Sequence, residues 1–261
     1  MALWLRFERA GTKGFGTLEG GLVRVHSGDM FGAPEPTGES LPLSEVSLRT
    51  PAEPSKLLGL VNNYREAATK QGIPIPAEPL YFLKPPSSYL APGEAIRLPA
   101  HDVGKVIYEG ELGVVIGREA RDVAEAAASA FIFGYTCVND VTALDLIGRD
   151  PGFAQWTRAK GFDTFAAFGP AIATGLDPER LVVRTLLKGK VRQDYPCSDM
   201  VFSPRALVSR ISREMTLVPG DLIACGTSLG IGVLRPGSTV EVAIEGIGTL
   251  ANPVQGAERA S

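Results

Sequence analysis

The chain has 261 residues, with 26 basic and 29 acidic side chains and a net charge of −3. That balance argues against nucleic acid or anionic membrane as a partner, and no apolar run nears the roughly 20 residues of a membrane helix. Glycine (30) and proline (20) together exceed ordinary usage, which argues against a helix bundle or coiled coil and for many turns.

Residues 1 to 48 read as short strands cut by glycine, LWLRFER and GFGTLEGGLVRVH, followed by the turn-rich SGDMFGAPEPTGESLPL. Alternation in LVRVH suits a small, half-exposed sheet. The two prolines between Thr50 and Lys56 mark a boundary between a small N-terminal β domain, 1–50, and a larger domain, 51–261. LLGLVN then reads as an apolar strand, and NYREAATKQGI predicts one short helix ending at Gly72. YFLKPPSSYLAPGEAIRLP reads as strand, turn, strand, and KVIYEGELGVVIG (105–117) is the longest strand signal. Asp122 to Phe133 is the clearest helix, alanine-rich, with Asp122 as N-cap and Gly134 as its stop. YTCVNDVT and FDTFAAFGPAIAT predict strands. LVVRTLLKGKVRQ and TVEVAIEGIGTLANPV predict hairpins turning at Lys188-Gly189-Lys190 and at Gly246. Ser203 to Leu217 predicts a second, amphipathic helix. Many irregular strands with two or three helices make an α+β, mainly β fold.

Cys137, Cys197 and Cys225 form no CxxC pair and read as reduced thiols of a cytoplasmic protein. His26 and His101 are the only histidines, which nearly excludes a multi-histidine zinc site. A Ser–His–Asp enzyme would need one of them as its base, and neither sits in a motif. Glu109-Gly110-Glu111 places two charges inside an otherwise apolar strand. Residues i and i+2 of a strand share a face, and two such carboxylates repel unless a cation or proton lies between them. Asp140 ends a second buried strand. Three carboxylates without imidazole or thiolate form a hard oxygen site suited to Mg²⁺, Mn²⁺ or Ca²⁺. The plainer reading is an edge strand with solvated glutamates, and Lys160 in RAKGFDTF is equally readable as a solvated loop residue. CGTSLGIG has no GK[ST] and leads into no clear helix, which argues against nucleotide binding. It can present backbone N–H groups and the Thr227 hydroxyl to a carboxylate, or be a hairpin turn.

The ordered segments YEGELGVVIG, GYTCVNDVT, QWTRAKGFDTFAAFGP, SDMVFSPRALVSRIS, TLVPGDLIACGTSLGIG and PGSTVEVAIEGIGTLANPV resemble the fumarylacetoacetate hydrolase family. The likeness is to its branch of 2-hydroxyhepta-2,4-diene-1,7-dioate isomerases and oxopentenetricarboxylate decarboxylases, over residues 57–255. The resemblance implies a mixed β-sandwich roll, a homodimer, and Mg²⁺ or Mn²⁺ held by Glu109, Glu111 and Asp140. It also implies an active-site lysine at Lys160 and a ligand-contacting threonine at Thr227. Tyr64 and Arg65 in the NYxxHA-like segment, and Gln193 in the QxGxTxDM-like run, become substrate-binding candidates. There are departures: Ala67 stands where the family's histidine falls, Leu144 and Ile147 where an arginine and a glutamine fall, and Tyr195 and Cys197 where a glycine and a threonine fall. Glu66 is then the nearest carboxyl candidate for a catalytic base, although a solvent-facing helix glutamate is the plainer reading.

The resulting expectation is a metal-dependent decarboxylase or isomerase of a small 2-oxo (enol) acid in aromatic-compound catabolism. Its alternatives are a C–C hydrolase of an acylpyruvate and a catalytically silent metal-binding homodimer. Leu144 and Ile147 also make the far end of the substrate site more apolar than a dicarboxylate would favour.

Overall fold

In the computed structural model, which describes residues 1–257, a twelve-stranded sheet runs through the whole molecule. Its order is Glu35–Pro42, Leu22–Ser27, Thr12–Glu19, Leu3–Arg9, Ala166–Ala173, Ile132–Asp140, Gly110–Ile116, Leu222–Ala224, Leu57–Val61 and Leu80–Lys84, with two short strands off this path. The N-terminal strands thus join the rest of the sheet through antiparallel pairing of Leu3 and Trp4 with Ala173 and Ile172. A five-stranded sheet, in which Val182–Leu187 and Thr239–Ile244 are central, packs against one face of the large one. The fold is mainly β.

Period-2 alternation explains the two faces. Leu112, Val114 and Ile116 point to the core shared with Val183, Val240 and Val242 of the second sheet. Val115 and Val138 point the other way, into a second core with Phe168, Ile172 and Leu222. Glu111 and Asp140 share the parity of Val115 and Val138, so both carboxylates lie on the face turned away from the second sheet. AAFGPAIA is buried within its own sheet, so its apolar character needs no partner molecule to cover it.

The expected short helix is α1 (Arg65–Gln71), closed by Gly72 at φ 64°. Two short helices, α2 (Leu144–Ile147) and α3 (Trp156–Lys160), precede the amphipathic helix α4 (Pro204–Glu214), whose N-cap Ser203 accepts from the Ala206 N–H. The expected 122–133 helix is not α-helical: Glu125–Phe131 is a 3₁₀ stretch, and Asp122 has φ 50° and does not cap it. Neighbouring backbone there is bound by α4 instead. Asp122 N donates to Ser212 O at 2.8 Å, Val123 N to Ser212 Oγ at 3.0 Å, and Ser209 Oγ to Val123 O at 2.7 Å. Alanine's helix propensity is a fraction of a kcal/mol per residue and yields to such tertiary bonds. The expected 105–117 strand is likewise two strands, Val106–Tyr108 and Gly110–Ile116, in different sheets, with Glu109 at the break. No helix among the described residues is long and apolar enough to cross a membrane, and all three cysteines are buried free thiols.

Asn63 ties three of these parts together. Its Nδ2 donates to Cys225 O at 2.8 Å and Phe202 O at 3.2 Å, and its Oδ1 accepts from Phe202 N at 2.8 Å. Asn63→Ala strands these buried backbone groups and is expected to lower the unfolding free energy by about 3 kcal/mol. Urea denaturation checks this, and a loss below about 1 kcal/mol would contradict it.

Candidate functional site

The register between Gly110–Ile116 and Ile132–Asp140 builds the site. Gly110 pairs with Asn139 and Glu111 with Val138, and Asp140 N donates to Glu109 O at 2.8 Å. Asp140 therefore stands across from Glu109, and one carboxylate oxygen from each of Glu109, Glu111 and Asp140 lies within 4.8 Å of the others. Lys160, the last residue of α3 (Trp156–Lys160), places its Nζ 2.7 Å from Glu109 Oε2 and 2.6 Å from Asp140 Oδ2. Lys84, with no exposed side-chain surface, donates to the other Asp140 oxygen and to Val141 O at 3.1 Å. Thr142 Oγ1 lies 3.1 Å from Glu109 Oε1, and Gly226 N donates to Glu111 Oε2 at 2.7 Å.

The electrostatics follow from three carboxylates facing two ammonium groups inside the protein. Burial pushes the Glu111 carboxyl well above the ordinary carboxylate range, and Asp140 and Glu109 push it further. Burial also raises Glu109, against the pull of Lys160. For Asp140 burial is again the largest influence, but Lys160 and Lys84 together outweigh it and hold the group below its usual value. Burial lowers the Lys84 ammonium. Burial acts on Lys160 in the same direction, but Asp140, Glu109 and Glu111 more than offset it.

Glu111 Oε1 is buried and has no hydrogen-bond partner. An all-oxygen donor set, one excess negative charge and an unpaired carboxylate oxygen fit a hard divalent cation. The same residues do not fit zinc's usual nitrogen and sulfur ligands.

The second sheet fixes the glutamate-bearing turn from behind. Gly110 N donates to Gln193 Oε1 at 3.0 Å, while Gly110 O accepts from Thr227 Oγ1 at 3.0 Å and from the Tyr195 hydroxyl. Gln193 Nε2 donates to Thr227 Oγ1 at 2.8 Å. A Cβ at position 110 would lie 2.0 Å from Thr185 Oγ1, so this approach requires glycine. Gln193 and Thr227 are thus engaged with the scaffold, although Thr227 also lines the adjoining cavity.

That cavity, of about 260 Å³, has Glu109 and Lys160 on its lining, together with α1, the end of Leu57–Val61, α2 (Leu144–Ile147), α3 and the 227–231 loop. Tyr64 lies behind the site, fully buried, edge-on to Tyr195 at 4.8 Å, with its hydroxyl unpaired. Arg65 turns away and donates to the carbonyls of Met200, Asp199 and Val201. Glu66 is about half exposed and pairs with Lys70 at 3.6 Å. At 100° per residue, α1 directs Ala67, Ala68 and Gln71 to the cavity and leaves Glu66 on the face that carries Lys70. Arg65 and Glu66 are therefore not brought to the triad. The Gly226 N–H on Glu111 is the backbone donor that CGTSLGIG was expected to offer a carboxylate, whereas Lys84, Thr142 and Ser228 belong to the site and escaped the sequence reading. Only Lys84 left a visible signal, a charge ending the apolar strand LYFLK. Ser228 lines the cavity with a buried hydroxyl that has no partner.

Residues 56–255 match the family model described as Fumarylacetoacetate (FAA) hydrolase C-terminal, and residues 3–51 match Rv2993c-like, N-terminal. The chain belongs to the fumarylacetoacetate hydrolase family. The crystal structure of 2-hydroxyhepta-2,4-diene-1,7-dioate isomerase from Mycobacterium marinum superposes with a TM-score of 0.90 at 42% identity, over 98% of this chain and 99% of that one. Oxaloacetate tautomerase YisK of Bacillus subtilis is 38% identical over 226 residues, 81% of this chain and 74% of the relative. Maleylpyruvate hydrolase from Sphingobium sp. SYK-6, in complex with manganese (II) ion and pyruvate, superposes with a TM-score of 0.80 at 27% identity, over 99% of this chain and all of that one. Isomerases, tautomerases and hydrolases of this family thus surround the chain, and its mainly β fold is the family's fold.

Lys84 has the most direct stability consequence. Lys84→Met leaves Asp140 with one of its two cations and is expected to cost EDTA-treated protein about 3 kcal/mol in urea unfolding. A loss under about 1 kcal/mol would show that Lys160 alone suffices.

Proposed function

We propose that the chain is a divalent-metal-dependent enzyme that enolises small 2-oxo acids, acting as an isomerase or tautomerase, or as a decarboxylase. The observation that carries this reading is the lining of the cavity. Among the described residues, Glu109 and Lys160 are its only ionisable side chains. Losing a β-carboxylate requires stabilised negative charge, and moving a carbon-bound proton also requires a group that takes it up, for which the lining offers the Glu109 carboxylate; C–C hydrolysis further requires a positioned water. Ala67 occupies the cavity wall where the family's histidine falls, and Glu66 faces outward. The named activities of the M. marinum isomerase and the B. subtilis tautomerase support the same reading.

Glu109, Glu111 and Asp140 would hold Mg²⁺ or Mn²⁺, and the manganese and pyruvate in the Sphingobium relative support that assignment. Bound there, the ion supplies Lewis-acid stabilisation of negative charge on the substrate's oxygens. Lys160 Nζ carries a positive charge at the cavity floor, where it orients an anionic substrate and donates a proton to it. The Thr227 hydroxyl already donates to Gly110 O and offers only a lone pair. Ser228 Oγ is the hydroxyl free to donate to a ligand. The apolar walls limit the access of bulk water to the reacting carbon.

The enzyme works as a homodimer in this reading. Leu80–Lys84 ends the large sheet and leaves a strand edge that a second copy can pair with, flanked by Leu80 on one face and Leu83 on the other. Light scattering is expected to give twice the 27.6 kDa of one chain, and a monomer at micromolar concentration would overturn this.

The enolisation test is exchange of the carbon-3 protons of 2-oxobutyrate into D₂O with Mg²⁺, followed by NMR. Exchange well above the protein-free rate is expected from the wild type. Glu109→Gln, Glu111→Gln or Asp140→Asn should each bring it near background, with Mn²⁺ binding lost in calorimetry. Exchange unaffected by EDTA or by these variants would overturn the metal assignment. An acylpyruvate split into two acids with a higher kcat/KM than any enolisation or decarboxylation would make the hydrolase the correct reading.

A further inference from the structure

Asp140, Lys160 and Thr227 each have, within a few residues along the chain, an apolar side chain that lines the same cavity. Four residues after Asp140 comes Leu144, and one turn further Ile147. One helical turn before Lys160 on α3 is Trp156, stacked on Phe82 at 5.8 Å with an interplanar angle of 7°. Two and four residues after Thr227 come Leu229 and Ile231. Helical and extended rises put these side chains about 5–13 Å along the chain from the chemistry. They give the cavity an apolar wall, and Leu144 and Ile231, 36% and 41% exposed, lie at its mouth. The remaining polar side chains of the lining, Asn62, Gln71 and Ser228, are neutral. The one ammonium group, on Lys160, is already ion-paired with two carboxylates.

Resting on the enolising reading above, we infer that the site selects 2-oxo acids with a hydrocarbon chain beyond carbon 3 over those with a second carboxylate there. A carboxylate placed against the half-buried Ile147, Trp156 and Leu229 loses water and meets no cation, which is unfavourable. A hydrocarbon in the same place gains about fourfold in affinity per methylene removed from water. The 1,7-dioate named for the M. marinum relative has a distal carboxylate, which sets this chain's selectivity apart from that one; oxaloacetate, named for the B. subtilis relative, does not conflict with it. Its second carboxylate is attached directly to carbon 3 and stays beside the polar end.

The decisive comparison uses two six-carbon acids, 2-oxohexanoate and 2-oxoadipate, with the full-length protein and Mg²⁺. Each is measured by calorimetric binding and by carbon-3 proton exchange. 2-Oxohexanoate is expected to bind about tenfold more tightly or better. Equal binding, preference for 2-oxoadipate, or no binding of either acid at millimolar concentration overturns it. Selective binding without exchange supports the selectivity and overturns only the enolising reading. Leu144→Arg puts a guanidinium at the mouth and should shift the ratio at least about tenfold toward 2-oxoadipate. Ile231→Lys, at a more exposed position, should shift it the same way and serves if the first variant does not fold. A folded variant with an unchanged ratio overturns the assignment of the tail to this wall.

Discussion

Five charged side chains packed together inside the protein are the constraint around which the rest is arranged. Glu109, Glu111 and Asp140 cannot share so small a volume as bare anions, and Lys84 and Lys160 neutralise only part of their charge. Burying unpaired charge is strongly unfavourable, so each carboxylate needs more than one compensating contact. Asp140 is held by two lysines, Glu109 by Lys160 and Thr142, and Glu111 by the Gly226 N–H alone. The unpaired oxygen of Glu111 is the direction in which the cluster remains incomplete.

Holding such a cluster requires backbone that does not move, and the fold supplies it from the sheets. The strand register opposes Asp140 to Glu109, while Thr185, Gln193 and Tyr195 of the second sheet close on Gly110 from the opposite face. The carboxylates are thereby oriented by a residue with no side chain. Connecting segments do the complementary work. α1, α2, α3 and the 227–231 loop wall the cavity, and their apolar residues decide what lies beyond the charged end. The connections also carry Lys160 and Ser228, so the charged end and the apolar wall meet on the same segments.

Lys84 illustrates why a polar network is hard to see in one dimension. It lies 56 residues from Asp140 and is joined to it by the pairing of Leu57–Val61 with Leu80–Lys84 at the edge of the large sheet. Once there it has no route to water, and its carboxylate partner determines whether the position is tolerable. Ser228, Thr142 and the Gly226 N–H likewise gain meaning from what faces them.

Local chemistry made part of this protein legible before its structure. The ExE spacing with a buried-strand aspartate, the glycine-closed α1, the capped α4 and the hairpin turns all depend on short-range geometry, and the ordered segments carried the family likeness. Tertiary structure alone decided the remainder. It split the 105–117 strand at Glu109 between two sheets, turned the alanine-rich 122–133 segment from α-helix to a 3₁₀ stretch bound to α4, and ran the N-terminal strands into the large sheet. It also turned Arg65 and Glu66 away from the triad and brought Lys84 to it. The physical reason is common to these cases. Propensities and i, i+2 or i, i+4 spacings act over a few residues with energies of a fraction of a kcal/mol. Desolvated charges and backbone groups that must find partners act across the whole chain with energies several times larger.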